Sequence, residues 1–306
     1  MVQSCKFVDQ VVPNCPYVMN KEYLDYIIDE FKIDYVIHGD DPCIVDGKDV
    51  YATAKAAGKY QSIPRTEGVS TTDLVGRILR LDSGRRLSDG SSSNGSSSSQ
   101  HESTPPPVLG QMSRFLTSSQ LLSKFSAGNE DPTPGMNVVY IDGAFDTFHC
   151  GHIAMLKAAK KRGDYLLVGV HGDAVANRIL GKNLPLLNLQ ERVLSVLGCR
   201  FVDNVLLDAP YQVTPAMVDT LNISTVVVCN SSEEDATTMH NDQYAYPRQA
   251  GILQELENPS TFRLDSIFEK IYENEVAYQA KFKRKMQAEN DFLKSKYGRN
   301  DNDEAS

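Results

Sequence analysis

A block of sequence that occurs twice constrains the fold of this 306-residue chain most strongly. The segment Cys5–Asp9 (CKFVD) matches Cys199–Asp203 (CRFVD), and Pro16-Tyr17 matches Pro210-Tyr211 at the same offset of 194 residues. Further matches follow in the same order at nearly the same offset. Agreement of this kind is improbable by chance, so the chain is predicted to contain two copies of one domain.

Length, charge and cysteine content are those of a reduced globular protein with two domains. The chain is too long for one ordinary domain, and 41% hydrophobic residues are enough for two cores. A net charge of −9 argues against a nucleic-acid or anionic-membrane binder, because both need basic surfaces. The six cysteines form no CxxC pair, so we expect reduced, buried thiols. No apolar run reaches the ~18 residues of a membrane-spanning helix.

The second copy opens with the pattern of a parallel βαβ unit. Residues 138–141 have the pattern of a buried strand, 153–161 that of a helix and 165–170 that of another buried strand. The segments 206–207 and 225–228 continue the sheet. A strand, helix and strand in this order form a right-handed parallel crossover. The predicted fold is α/β, with two Rossmann-like domains containing parallel sheets.

The first copy is predicted to be truncated. It begins at Met1, which corresponds to about position 195 of the second copy, so it would lack the first two strands and helices. A Ser/Gly/Pro-rich stretch, too polar to fold alone, separates the copies. The predicted organisation is half of a first domain at 1–81, a linker with a short amphipathic helix at 82–134, a second domain at 135–275, and a charged helix with a disordered tail at 276–306.

The segment Ile141–His152 (IDGAFDTFHCGH) contains the strongest candidates for chemistry. It follows the first predicted strand and opens the first helix, whose amino-terminal end favours negative charge. His149 and His152 lie three residues apart there, where imidazoles can donate hydrogen bonds to a phosphoryl group in the transition state. We predict both histidines to be catalytic. The expected nucleotide contacts in this segment are Gly143, Ala144, Phe145 and Gly151.

An HxGH motif between a strand and a helix resembles the signature of the nucleotidylyltransferase superfamily. In the first copy, Arg65–Asp73 (RTEGVSTTD) resembles the RTxGxSTT motif of cytidylyltransferases. A cation, a glycine turn and hydroxyls ahead of the helix predicted at 74–81 would form a phosphate cradle, and the hydroxyls could also cap that helix. The resemblance implies nucleotide contacts at Arg65, Thr66, Ser70, Thr71 and Thr72, and at the loop residues His38, Gly39 and Asp40.

Two such domains joined by a linker resemble the ethanolamine-phosphate cytidylyltransferases. The resemblance implies transfer from CTP to phosphoethanolamine, forming CDP-ethanolamine and pyrophosphate, with Mg²⁺ bound to CTP and no other metal site. Lys182 matches a phosphate-contacting lysine and is the third predicted catalytic residue. Asp146 and Arg192 are substrate-side candidates, with a structural contact as the alternative for Arg192. The implied setting is cytoplasmic, with peripheral association at the endoplasmic reticulum, no stable membrane insertion, and a homodimer as one possibility.

Each copy departs from the family pattern in a different way. The second copy has Val228-Cys229-Asn230 where the first has His38–Asp40, and Glu257 stands in place of Arg65 if Asp73 pairs with Asp265. A glutamate would repel a triphosphate. The second copy therefore has the histidines without the cradle, and the first has the cradle without the histidines. The alternative function is a catalytically silent partner of a full-length enzyme; other acceptors, such as phosphocholine, also stay open.

Overall fold

The computed structural model divides into two compact units, and its boundaries differ from the predicted ones. One unit is Gln10–Leu74, and the other combines Met1–Asp9 with Val75–Ser306. The two ends of the predicted first domain therefore belong with the second copy. The structure describes residues 1–40, 43–45, 48–64, 74–79, 131–181, 184–230, 242–257, 259–260, 262, 264–280, 283–284 and 287.

The smaller unit is built around a pair of parallel strands. Its elements are α1 (Lys21–Phe31), β1 (Val36–Gly39), β2 (Ile44–Val45), β3 (Lys48–Asp49), α2 (Ala52–Ala56) and β4 (Tyr60–Ile63). β1 and β4 pair in parallel, whereas β2 and β3 form an antiparallel pair. Asn20 begins α1 by accepting a hydrogen bond from the Tyr23 N–H, which satisfies one free donor of the first turn. Leu24, Ile27 and Ala54 form the buried core.

The larger unit contains a five-stranded, wholly parallel sheet in the order β7-β6-β5-β8-β9. Its strands are β5 (Val138–Gly143), β6 (Tyr165–His171), β7 (Asn204–Ala209), β8 (Ile223–Asn230) and β9 (Leu253–Glu257). Its helices are α3 (74–79), α4 (Cys150–Lys160), α5 (Asp173–Leu180), α6 (Leu189–Leu197), α7 (Pro215–Thr220), α8 (Ala245–Gln249) and α9 (Leu264–Glu273). Among the described residues, no helix is long and apolar enough to cross a membrane.

Burial on both faces explains why the central strands are so apolar. Every residue of β6 is buried, as expected for a parallel strand covered on both sides. One hydrophobic cluster includes Leu156, Val168 and Val196, and the other includes Tyr140 and Val226. From β5 the chain first adds β6 and β7 on one side of the sheet and later adds β8 and β9 on the other side. The strand order therefore reverses between β5 and β8, which places a switch point at their carboxyl ends. Ligands of open α/β sheets bind at such points.

The elements confirm the α/β fold and the internal repeat. Helix, strand, helix and strand follow one another in the smaller unit as α1, β1, α2 and β4, and in the larger unit as α7, β8, α8 and β9. The turns before β4 and β9 contain Gly58 at φ +66° and Gly251 at φ +71°, a left-handed conformation that glycine adopts without strain. The matched glycines thus serve the same turn in both copies.

The repeated CKFVD and CRFVD segments pair with each other. Cys5 and Cys199 form an antiparallel β-bridge. The Lys6 N–H donates to the Gly198 carbonyl and the Arg200 N–H donates to the Ser4 carbonyl, both at 2.9 Å. The pairing is therefore symmetric, with equivalent atoms of each copy bonding to the other. This contact explains why Met1–Asp9 belongs with the second copy.

The predicted helices and thiols have mixed outcomes. The helix predicted at 74–81 is described at 74–79, and the carboxyl-terminal helical region is described as α9 and a further helix at 275–280. All six cysteines are free, but the expectation of burial is wrong for Cys15 and Cys150, which are exposed. The amphipathic helix predicted at Met112–Phe125 and nearly all of the linker lie outside the described residues.

We predict that Leu156→Ala destabilises the larger unit by about 2–5 kcal/mol, because it leaves a cavity under the sheet. Leu156 is fully buried, whereas Leu207 is 46% exposed and provides a matched control of the same chemistry. Leu207→Ala should change the unfolding free energy by no more than about 0.5 kcal/mol. Urea unfolding followed by circular dichroism measures both, and equal losses in the two variants would contradict the core assignment.

Candidate active site

His149 and His152 lie where β5 meets α4, at the switch point of the sheet. His149 is the residue that caps α4, and its Nδ1 accepts a hydrogen bond from the Gly151 N–H at 3.1 Å. His152 Nδ1 accepts from the His149 N–H at 3.3 Å. Two free donors of the first helical turn are thereby satisfied, in the manner of a capping box made of imidazoles.

These hydrogen bonds define which ring nitrogen carries the proton. A neutral imidazole has one donor and one acceptor nitrogen, and Nδ1 is the acceptor in both His149 and His152. The proton therefore lies on Nε2 of each ring. Among the described residues neither Nε2–H group has an acceptor, and both lie at the positive end of α4, where anions are stabilised.

The local environment keeps both histidines uncharged. Burial lowers the pKa of His149, and burial together with repulsion from His149 lowers the pKa of His152 to about 3. The two rings stack with centroids 3.9 Å apart, an arrangement that two imidazolium cations would oppose. Both pKa shifts therefore favour the neutral rings near pH 7.

Gly151 is required by the ring of His149. A Cβ atom at this position would lie 2.8 Å from His149 Cε1 and 3.0 Å from His149 Nδ1, so any side chain would displace the ring. Gly151 is therefore a packing requirement of the histidine pair. The prediction that Gly151 contacts nucleotide stays a prediction.

The loop that leads into α4 is held in an uncommon conformation. Phe145 has φ +50° and Thr147 has φ +44°, which are left-handed values for residues that carry a Cβ atom. Such conformations cost about 1–3 kcal/mol each and cluster at functional sites. The Thr147 hydroxyl oxygen is buried and has no hydrogen-bond partner among the described residues, so a ligand could supply one.

Asp146 stabilises this loop from within. Its carboxylate accepts hydrogen bonds from the N–H groups of Leu186 at 2.7 Å, Leu187 at 3.0 Å and Thr147 at 3.0 Å, and the residue is only 4% exposed. Burial raises the pKa of Asp146, and these three hydrogen bonds oppose the rise. The geometry favours a structural role, in contrast to the predicted substrate-side contact.

Arg192 is also part of the interior. Its guanidinium is fully buried and donates to the carbonyl oxygens of Leu187 at 3.1 Å, His171 at 2.8 Å and Ala144. It also pairs with the Asp173 carboxylate at 2.7 Å. Of the two predicted roles for Arg192, the structure favours the structural contact over the substrate-side one, because four of its five N–H donors already have acceptors within the protein.

Arg77 on α3, which belongs to the first copy, contacts the segment around Leu186 that also binds Asp146. Its guanidinium forms a bidentate pair with Glu191, with both N···O distances at 3.0 Å, and donates to the Leu186 carbonyl at 3.1 Å. Glu191 also accepts from the Asn188 N–H in the capping box of α6. The segment that binds Asp146 is therefore fixed from both copies, although sequence analysis gave Arg77 no role.

Asp142, which sequence analysis did not single out, lies at the end of β5 next to Gly143. Its carboxylate accepts hydrogen bonds from the hydroxyls of Tyr244 at 2.5 Å and Tyr140 at 3.3 Å, and from the Gln243 amide at 3.3 Å. Burial raises the pKa of Asp142, and His171 and these donors partly oppose the rise. The sequence did contain a signal for Asp142, because an acidic residue at the end of an apolar strand, directly before a glycine turn, is a candidate site residue.

Phe262 covers one side of the histidine pair. Its ring centroid lies 4.9 Å from that of His149, and its carbonyl oxygen would lie 3.3 Å from a Cβ at position 151. Phe262 aligns with Ser70 when Asp265 is paired with Asp73. The second copy therefore has an aromatic ring against His149 at the position where the first copy has Ser70, a predicted phosphate contact.

Three of the other predicted residues, His38, Gly39 and Asp40, belong to the smaller unit. His38 and Gly39 end β1, and Asp40 follows it. The His38 ring lies 4.6 Å from that of Tyr51, and the Asp40 N–H donates to the Ile63 carbonyl. The residues that lie outside the described parts of the chain are Arg65, Thr66, Ser70, Thr71, Thr72 and Lys182. The larger unit therefore brings together Gly143, Ala144, Phe145, Asp146, His149, Gly151, His152 and Arg192.

A parallel α/β sheet with two neutral histidines at a helix start on its switch point defines a nucleotide-binding domain of the nucleotidyl-transfer type. The model of the family "Cytidylyltransferase-like" matches residues 1–77 and 140–271. The chain is 40% identical to the ethanolamine-phosphate cytidylyltransferase of Arabidopsis thaliana, with 97% of this chain and 72% of that protein covered.

Two further relatives share that name. The protein of Dictyostelium discoideum is 39% identical, with 95% of this chain and 81% of the relative covered, and that of Mus musculus is 36% identical, with 96% and 78% covered. The chain belongs to the ethanolamine-phosphate cytidylyltransferase family.

We predict that His152 makes the folded state less stable in acid. Its folded pKa of about 3 lies below the ordinary 6.5, so the unfolded state binds more protons between these values. Its contribution to stability is therefore complete above pH 6.5 and is lost as the pH falls towards 3. NMR should show that the His152 ring does not titrate between pH 8 and 5. His152→Gln should unfold with a shallower pH dependence, and a ring that titrates near 6.5 would contradict this.

Proposed function

We propose that the chain takes part in transfer of a cytidylyl group from CTP to phosphoethanolamine, which forms CDP-ethanolamine and pyrophosphate. The observation that carries the proposal is the pair of neutral Nε2–H donors of His149 and His152 at the start of α4. The names of the relatives support the substrate class. The catalytically silent partner is the less favoured alternative.

In the proposed reaction, an oxygen of the acceptor phosphate attacks the α-phosphorus of CTP while the bond to pyrophosphate breaks. No covalent enzyme intermediate is needed, because catalysis requires mainly positioning and stabilisation of charge. The Nε2–H groups of His149 and His152 would donate to phosphate oxygens as negative charge shifts onto the leaving group. Neutral rings suit this role because they donate without a proton-transfer step.

Other predicted contacts complete the proposal. The phosphate contacts assigned to Lys182, to Arg65 and Thr66, and to Ser70, Thr71 and Thr72 stay predictions, as does the nucleotide contact of His38–Asp40. We also propose that Mg²⁺ accompanies CTP and neutralises phosphate charge. Among the described residues, no cluster of three or more His, Cys, Asp or Glu side chains could hold a metal. In such sites Mg²⁺ is usually bound by substrate phosphates and one or two carboxylates.

Cellular setting and assembly are proposals as well. We propose a cytoplasmic protein with peripheral association at the endoplasmic reticulum, where its product would be used. A homodimer stays a prediction from the family resemblance. The net charge of −9 argues against nucleic acid as a partner.

Asp142 suits the ammonium group of the acceptor. The residue is partly exposed, carries a carboxylate surrounded by Tyr140, Tyr244 and Gln243, and directly precedes the glycine turn. A carboxylate whose charge is disfavoured by burial gains most from an incoming cation. The hydroxyl and amide donors hold the carboxylate in place for that contact.

The first test is turnover of the purified chain with CTP, phosphoethanolamine and Mg²⁺. His149→Ala and His152→Ala should each lower kcat by about 10²–10³-fold, because each removes a transition-state donor. Lys161→Ala, an exposed change at the far end of α4, should retain full activity. Absence of turnover by the unmodified chain, with all four proteins folded alike, would favour the silent partner.

The second test separates the acceptor from the nucleotide. Asp142→Asn keeps the shape of the side chain but removes the charge, so it should raise KM for phosphoethanolamine about tenfold or more and leave KM for CTP unchanged. Competition with phosphocholine in both proteins measures headgroup preference. An equal rise in both KM values would contradict an ammonium contact at Asp142.

A further inference from the structure

The pairing of Cys5 with Cys199 places two thiols from different copies opposite each other. The two flanking hydrogen bonds, Lys6 N–H to Gly198 and Arg200 N–H to Ser4, make this a non-hydrogen-bonded antiparallel pair. Such pairs have Cα atoms about 4.5 Å apart and side chains on the same face. Disulfides span Cα separations of about 4.4–6.8 Å, so the backbone already has the spacing of a disulfide.

We propose that Cys5 and Cys199 form a site of reversible oxidation, at which a disulfide covalently joins the first copy's CKFVD segment to the second copy's CRFVD segment. Both cysteines are free thiols in the structure. The four other cysteines, Cys15, Cys43, Cys150 and Cys229, have no such bridge to another cysteine among the described residues.

Exposure assigns a different role to each thiol. Cys5 is partly exposed and can meet a small oxidant in solvent, whereas Cys199 is 2% exposed and cannot. Burial raises the pKa of Cys199, while the nearby charges of Lys6 and Arg200 oppose the rise. Cys5 is therefore the attacking thiol and Cys199 the resolving thiol.

The chemistry balances with a low-molecular-weight disulfide as the oxidant. The Cys5 thiolate attacks one sulfur of the oxidant and releases the first small thiolate, which leaves a mixed disulfide at Cys5. The Cys199 thiolate then attacks the sulfur of Cys5 and releases the second small thiolate. The two protons lost by the cysteines end on the two released thiols, and a dithiol reductant reverses both steps.

The disulfide would covalently attach Met1–Asp9, a segment that otherwise contacts the second copy through few hydrogen bonds. Met1–Asp9 has no buried residue in its first turn, and Lys6 and Arg200 provide the two bridging backbone hydrogen bonds. The side chain of Arg200 also donates to the carbonyl oxygens of Cys5 and Val8. Cross-linking residues so far apart in sequence restricts the unfolded chain, which stabilises the folded one.

Peptide mapping by mass spectrometry tests the proposal directly. The reduced full chain is incubated with oxidised glutathione, alkylated and digested without reductant. We expect one dominant cross-link, Cys5 to Cys199, and loss of two titratable thiols of the six. The oxidised chain should unfold on the order of 5 °C higher than the reduced one. Persistent glutathione on Cys5, a different dominant pair, or a disulfide between chains would overturn the proposal.

Controls separate local geometry from general reactivity. Cys199→Ala should stop at a mixed disulfide on Cys5, and Cys5→Ser should leave Cys199 unmodified. Cys15→Ser removes an exposed thiol and should leave the cross-link intact. Oxidation of wild type in urea should abolish the preference for this pair, and persistence of the preference there would also contradict the proposal. The readout is covalent, so it is independent of cytidylyl transfer.

Discussion

The buried guanidinium of Arg192 is the constraint on which the site geometry depends. A fully buried cation is tolerated only when its donors are paired, and Arg192 satisfies this by binding three backbone carbonyls and the Asp173 carboxylate. Those carbonyls belong to the ends of β5 and β6 and to the segment before α6. One side chain therefore joins three separate loops, and Ala144 in the turn before α4 is among its acceptors.

Asp146 complements Arg192 by binding the other kind of backbone group. Arg192 binds carbonyl oxygens and Asp146 binds N–H groups, so the turn and the segment at 186–187 have both kinds of backbone group satisfied. The left-handed conformations of Phe145 and Thr147 persist because these contacts determine the backbone around them. The histidine rings are consequently placed by a rigid scaffold, which is what transfer without a covalent intermediate requires.

Features that depend on local sequence were predictable, and features that depend on distant contacts were not. The parallel sheet and the helix beginning at residue 74 were predicted from local sequence, and the structure confirms both. Asp146 and Arg192 were substrate-side candidates by family resemblance, with a structural contact as the alternative for Arg192. Their burial depends in part on backbone groups 40 to 48 residues away, which no local pattern reveals. Asp142 was missed because its tyrosine partner lies about 100 residues away.

The assignment of Met1–Asp9 and α3 to the larger unit has a practical consequence for fragments of this protein. The boundaries of its folded units do not coincide with the boundaries of its sequence repeat. An expression fragment that starts at the second copy would leave Cys199 and Arg200 without their bridge and Glu191 without Arg77. Conversely, a cut in the stretch between the copies would place the two partners of each of these contacts on separate polypeptides.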